Sequence, residues 1–263
     1  MRLAGAGAIV AVALALPAAA HAEEAQVDMF ATAFNPAKLT VVAGDTVTWR
    51  NGDIVVHDVK GPAFTSGVIE RFGSFSQRID TPGPVSYLCT LHLGMSAQLE
   101  VLAARLDAPA GAAYAGEAIE LKGRSAPGAA VTLERDAGGG AWQPAGTVTA
   151  ASNGAFKASV EAAAGYRART ATGESPAVTA TVLKLPRVKL SAAKGRLKAT
   201  TTPAAKGLTA RFEERKGSGW RKFATKKLDS AGRASVAERE GKLRVVLTRG
   251  KAELATSKTL VMR

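Results

Sequence analysis

Short apolar runs that alternate with polar positions, each bounded by turn formers, set the pattern of this chain. Residues 27–34 and 46–50 are rich in β-branched and aromatic side chains and read as strands. Asn35-Pro36, Gly44-Asp45, Asn51-Gly52-Asp53 and Pro82-Gly83-Pro84 supply the turns between such runs. Residues 85–90 form another strand, and residues 97–102 alternate as the strand that follows it. That reading puts Cys89 at a strand end, with His92 and Met95 in the loop beyond, and makes Trp49, Phe64, Phe72 and Phe75 core residues.

Beyond residue 102 the alternation continues, in residues 130–135 and 208–215, with glycine-rich turns between strands. A weak repeat of about 78 residues runs through this half. It matches Trp142 with Trp220, Gly154 with Gly232, and the closing residues 179–183 with 257–261. Residues 103–113, rich in alanine, glycine and proline, read as the start of a linker. The expectation is an all-β chain of 263 residues in three units, at 23–102, 103–183 and 184–263.

One apolar stretch breaks the pattern. Arg2 precedes the apolar residues 3–16, and Ala20-His-Ala22 leads into the acidic pair Glu23-Glu24. A short apolar core behind a positive charge, ending in Ala-x-Ala, predicts a signal peptide over residues 1–22 and an exported protein, periplasmic or extracellular. The apolar stretch is too short for a membrane span, so no transmembrane segment is expected after cleavage.

Export normally favours disulfides, but the chain has a single cysteine and cannot form one internally. Cys89, His92 and Met95 follow a Cys-x-x-His-x-x-Met spacing, and His57 lies upstream. Once the signal is removed, His57 and His92 are the remaining histidines. A thiolate, two imidazoles and a weak thioether form the donor set of an electron-transfer copper site, because soft sulfur favours Cu(I) while nitrogen suits Cu(II). Three of the four lie within seven residues, so a single turn can carry them, and the fold must bring residue 57 beside residue 89. A β-sandwich can do that.

Residues 26–102 resemble the cupredoxins of the plastocyanin, amicyanin and pseudoazurin group. The likeness rests on Phe34-Asn-Pro-x-Lys-Leu-Thr-Val41, Ala43-Gly-Asp-Thr-Val-Thr-Trp49, His57-Asp-Val59, Pro82-Gly83 and Tyr87-x-Cys-Thr-Leu-His-x-Gly-Met95. The resemblance implies a Greek-key β-sandwich holding one type 1 (blue) copper, with His57, Cys89 and His92 as equatorial ligands and Met95 axial. It implies single-electron carriage and no catalysis. Two positions depart from the pattern: Asp58 stands where relatives often have Asn, and Leu93 where a proline is common. A carboxylate at 58 adds negative charge near the metal and is expected to lower the reduction potential. Residues 103–263 resemble bacterial immunoglobulin-like modules in architecture, implying two further small Ig-like β-sandwiches.

Charge separates the units. Residues 23–102 carry net charge −4, residues 103–183 are neutral, and residues 184–263 hold 22 Lys and Arg against 6 Asp and Glu. Nucleic acid is not an expected partner outside the cytoplasm. Anionic cell-envelope surfaces or an acidic redox protein suit such a field, and a solvated face that confers solubility suits it equally. Two functions stay open. One is a soluble electron carrier positioned by its modules, exchanging with an unidentified redox partner in a small, transient contact at His92 between Leu91 and Leu93. The other is an envelope-associated copper-binding, storage or adhesive protein with no carrier role.

Overall fold

The computed structural model describes residues 24–262 of the chain, and among them every regular element is a β-strand. The signal peptide expected over residues 1–22 lies outside the described residues. No helix among the described residues is long and apolar enough to cross a membrane.

The first seven strands are β1 (Glu24–Phe30), β2 (Ala33–Asn35), β3 (Lys38–Val42), β4 (Asp45–Asn51), β5 (Ser74–Ile79), β6 (Gly83–Leu88) and β7 (Ser96–Leu102). They build two facing sheets, ordered β2-β1-β4-β5 and β3-β7-β6. β1 runs parallel to β4 and β3 parallel to β7, while the remaining pairs are antiparallel. Alternation directs Val27, Met29, Val47 and Trp49 inward from one sheet, against Val41, Tyr87, Leu99 and Val101 from the other. Trp49 is fully buried, its ring near Phe75, Phe64 and Tyr87 at 5.4–5.7 Å between centroids.

Two expectations need correction here. The run at 27–34 is not one strand but a hairpin, because Ala31 and Thr32 both adopt positive φ (50° and 53°) and reverse the chain in two residues. Phe72 is not in the core: it stands 72% exposed at positive φ, with the Arg71 guanidinium 4.3 Å above its ring.

Residues 103–113 are also not simply a linker. Ala104–Leu106 (β8) pairs with β10 (Ala118–Ser125) and buries Ala104 and Leu106 in the next core, while Ala112–Tyr114 (β9) pairs in parallel with β17 (Thr181–Leu183). The second core lies between β13-β10-β8 and β12-β11-β14-β15, where β11 is Ala130–Asp136, β12 Trp142–Thr149, β13 Ala155–Glu161, β14 Gly165–Thr170 and β15 Gly173–Glu174. The third core lies between β18-β19-β22 (Arg187–Ala193, Arg196–Thr202, Arg233–Ala237) and β21-β20-β23-β24 (Gly219–Lys227, Thr209–Lys216, Gly241–Arg249, Ala252–Thr256).

The two later units share one plan, a three-stranded sheet against a longer one, with β-bulges at matching places after Leu133 and Phe212. Gly154 and Gly232 occupy matching turns at positive φ (78° and 67°). A side chain there would come within 2.5 Å of Ser125 O and 2.2 Å of Thr201 Oγ1 respectively, so both positions require glycine. The closing segments diverge: β17 pairs with β9, whereas Leu260–Met262 (β25) pairs with β23.

Candidate metal centre

The strands end where the chemistry begins. β6 stops at Leu88 and β7 starts at Ser96, so Cys89, His92 and Met95 all fall in the connecting loop, with Cys89 one residue past its strand rather than in it. The Cys89 amide donates to Met95 O (2.9 Å), and the Met95 amide reaches His92 O (3.4 Å). These bonds close the loop on itself. Cys89 and Met95 are each 3% exposed and belong to the first core, while His92 is partly exposed.

Residue 57 reaches this loop through backbone pairing. Lys60 and Leu88 exchange two hydrogen bonds (2.9 and 3.0 Å), and His57 and Ile69 exchange two more (3.2 and 2.7 Å). The segment carrying His57 is thereby fastened to the end of β6. Asp58 adds a second link: its Oδ1 accepts the Thr90 amide (2.6 Å) and its Oδ2 accepts the Thr90 hydroxyl. Burial pushes the Asp58 carboxyl up, but the two Thr90 bonds, with help from Cys89 and Lys60, hold it below its ordinary value. Asp58 is therefore an anion that joins the two ligand segments.

The ligand atoms converge. Cys89 Sγ lies 3.8 Å from His57 Nδ1 and 3.4 Å from His92 Nδ1, and the donor atoms of the three residues all fall within 4.8 Å of one another. The two imidazoles are tilted by 51° with centroids 4.7 Å apart. An ion bound at about 2.3 Å from sulfur and about 2.0 Å from nitrogen, at near-tetrahedral to trigonal angles, separates those donors by about 3.5–3.8 Å. The observed spacings fit one shared ion, and the donor set, soft thiolate with imidazole, suits copper.

Three contributors escaped sequence reasoning. Asn51, 1% exposed, was expected only as part of a turn, yet its amide group donates to Val55 O (2.8 Å) and Ile69 O (3.0 Å) while its oxygen accepts the Asp53 amide (2.9 Å). It fixes the segment that delivers His57. Asp53 places Oδ2 at 3.4 Å from His57 Nε2 and at 3.1 Å from the Thr32 amide, so one carboxylate supports both the ligand ring and the positive-φ hairpin turn. Hydrogen bonds from the Thr32 and Ile54 amides hold its pKa below the usual carboxylate value. Thr90, which ties to Asp58, is the third. The one hint in the sequence was proximity: Asn51 and Asp53 stand six and four residues before His57.

Around the site the surface is apolar. Leu93 is fully exposed, Leu91 and Leu88 about half exposed, and Val55 and Val56 more than a third exposed.

No protein-family model and no curated protein matches the chain. Among solved structures it is similar to a purple cupredoxin from Nitrosopumilus maritimus, at 24% identity over 29% of this chain and 98% of that one, with a TM-score of 0.28. It is also similar to an oxidised amicyanin variant, at 26% identity over 29% of this chain and 80% of that one (TM-score 0.28). A Cu(I) amicyanin variant is similar at 25% identity over 30% of this chain and 81% of that one (TM-score 0.29). Each likeness spans less than a third of the chain.

Proposed function

We propose that this protein is an exported blue-copper protein, a one-electron carrier rather than an enzyme, in which His57, Cys89 and His92 would hold the metal, with Met95 as a further, weaker donor. The observation that supports this reading is the convergence of one thiolate and two imidazole nitrogens at 3.4–3.8 Å, in a site that hydrogen bonds rigidify from outside. Copper bound there would supply the Cu(II)/Cu(I) couple. The chain's own part is to keep the ligands still, since a frame that moves little between oxidation states exchanges electrons with little rearrangement. His57 is sealed in the core, and His92 is the ring that reaches the surface. The exposed Leu91 and Leu93 beside it give a redox partner a small apolar contact, as suits a transient encounter. Multicopper oxidation would need further histidine clusters, and the chain has three histidines in all.

The test is optical. The purified protein with added Cu(II) is expected to show intense thiolate-to-copper absorption that bleaches on reduction and returns on oxidation, and Cys89→Ser is expected to abolish the colour. Copper uptake without reversible bleaching would favour the storage or adhesive alternative. No uptake would end the reading altogether.

A further inference from the structure

The positive charge of residues 184–263 is arranged differently on the two sheets. In the third unit the inner strands of the longer sheet pair most of their cations, while its edge strand β21 leaves Arg221, Lys222, Lys226 and Lys227 exposed without an ion pair among the described residues. Glu213 pairs with Arg211 and Arg244 at 2.7 Å each, Glu214 with Arg239 at 2.9 Å and Lys216 at 3.8 Å, and Glu253 with Arg211. The sheet β18-β19-β22 is different. Its inner face supplies Leu190, Leu197, Ala199, Ala234 and Val236 to the core. Alternation therefore turns Arg187, Lys189, Arg196, Lys198 and Arg233 outward, and all five are exposed. Arg187, Lys189 and Lys198 form no ion pair among the described residues, and Arg196 donates only to Ser235. At the rim of this face Asp229 lies 3.3 Å from Arg233.

The register makes a lattice of these charges. Lys189, Thr200 and Arg233 stand in one row across the three strands, and Ser191, Lys198 and Ser235 in the next. Strands about 4.8 Å apart and same-face residues about 6.8 Å apart put neighbouring cations roughly 7–8 Å from each other. Hydroxyl groups fill the positions between them. A shallow depression of about 440 Å³, lined by Lys194, Arg196, Lys198, Arg233, Ser235 and Asp229, covers the β19-β22 side of the lattice.

We infer that the outer face of β18-β19-β22 is a binding surface for an anionic polysaccharide carrying regularly repeated carboxylates. Unpaired cations retain their full attraction for a polyanion and gain from releasing its counterions, and on this face they stand interleaved with hydroxyl groups on three strands. The paired cations of β20 and β23 do not contribute in this way, and the unpaired lysines of β21 lie along a single edge strand. The interleaved Thr200, Ser191 and Ser235 match the hydrogen-bonding groups of a sugar chain. The face offers no aromatic platform on which bases could stack and no apolar side chain to enter a bilayer, which disfavours single-stranded nucleic acid and lipid as occupants.

The inference does not depend on the metal, and its test uses the full mature chain. Binding to polygalacturonate is measured at rising salt for the parent protein, for the triple variant Arg187→Gln, Lys189→Gln, Lys198→Gln, and for a control that removes the same charge from β21, Lys222→Gln, Lys226→Gln, Lys227→Gln. All six positions are exposed, so melting temperature is expected to stay unchanged in both variants. The face variant should bind about tenfold or more weakly at low salt, and its log K against log salt slope should fall by about 2, as expected for three lost ionic contacts. The control should lose less than about threefold. Equal losses in both variants would show that net charge, not this face, is responsible. No polygalacturonate binding, or tighter binding to oligothymidylate or to phosphatidylglycerol vesicles, would also overturn the inference.

Discussion

Asp58 shows how one residue can serve geometry and electrostatics together. Its two oxygens hold the backbone and hydroxyl of Thr90, a structural task that an asparagine would share only in part, since its amide nitrogen cannot accept a hydrogen bond. It also brings a full negative charge to the residue next to a ligand. A charge interaction of about 1–2 kcal/mol, reasonable at an effective dielectric near 20, corresponds to roughly 40–90 mV for a one-electron couple. Asp58→Asn is therefore expected to raise the reduction potential of the copper-loaded protein by that order, measured by voltammetry, and an unchanged or lower potential would contradict it. Of the residues around the site, the three donors that converge, His57, Cys89 and His92, were legible because their chemistry is rare in this composition. Asn51 and Asp53 were not, because a buried amide and a ring-supporting carboxylate look like ordinary turn residues until the chain has folded.

At the scale of elements, alternation identified β4, β6, β7, β11 and β20, and its failures have physical causes. The hairpin joining β1 and β2 turns on Ala31-Thr32, which lacks the Gly or Asn that announces such turns, and the Asp53 carboxylate on the Thr32 amide compensates. The 78-residue repeat was visible through two tryptophans, but its energetic centre was not. In the second unit Arg167 lies 4.8 Å over the Trp142 ring and 2.5 Å from Glu134. In the third, Arg244 lies 4.3 Å over Trp220 and 2.7 Å from Glu213. Both glutamates follow the matching bulges and are buried, so each clasp places a carboxylate, a guanidinium and an indole in one stack across three adjacent strands. Removing Glu213 leaves the partly buried Arg244 with no carboxylate partner among the described residues, whereas Arg167 keeps Glu174 at 2.6 Å when Glu134 is removed. Glu213→Ala is expected to cost about 2 kcal/mol and Glu134→Ala about 1 kcal/mol, below the range for fully buried pairs because the arginines keep some solvent contact. Urea denaturation of either variant reads this directly, and a loss under about 0.5 kcal/mol would assign the clasp to the surface class.

At the scale of the whole molecule, the described residues form three separate apolar clusters, one per sandwich. Metal binding stabilises only the fold that provides the site, by about 2.7 kcal/mol when the free metal is at a hundred times its dissociation constant. Calorimetry with and without Cu(II) is expected to move one transition upward and leave the others in place. A single transition moving as a whole would mean that the cores unfold together.

The junctions also have a geometry with consequences. At the start of β4, Arg124 of the second unit sits 2.7 Å from the buried Asp45, and Gly44 lies so close to Pro127 that a Cβ would approach its ring to 2.5 Å. The His57 segment departs from the other end of the same strand, about 20 Å away. At the next junction Arg249 grips Ala112 O and Glu117, and Tyr114 is part of the third cluster. The neighbouring sandwich thus occupies the pole opposite the tip that carries the candidate metal centre. Where the distal end is immobilised, the reach of that tip is set by a chain of braced joints. It explores a bounded shell instead of diffusing away, so under the proposed carrier role the frequency of productive collisions would depend on the distance to a docking protein within that shell more than on its bulk abundance.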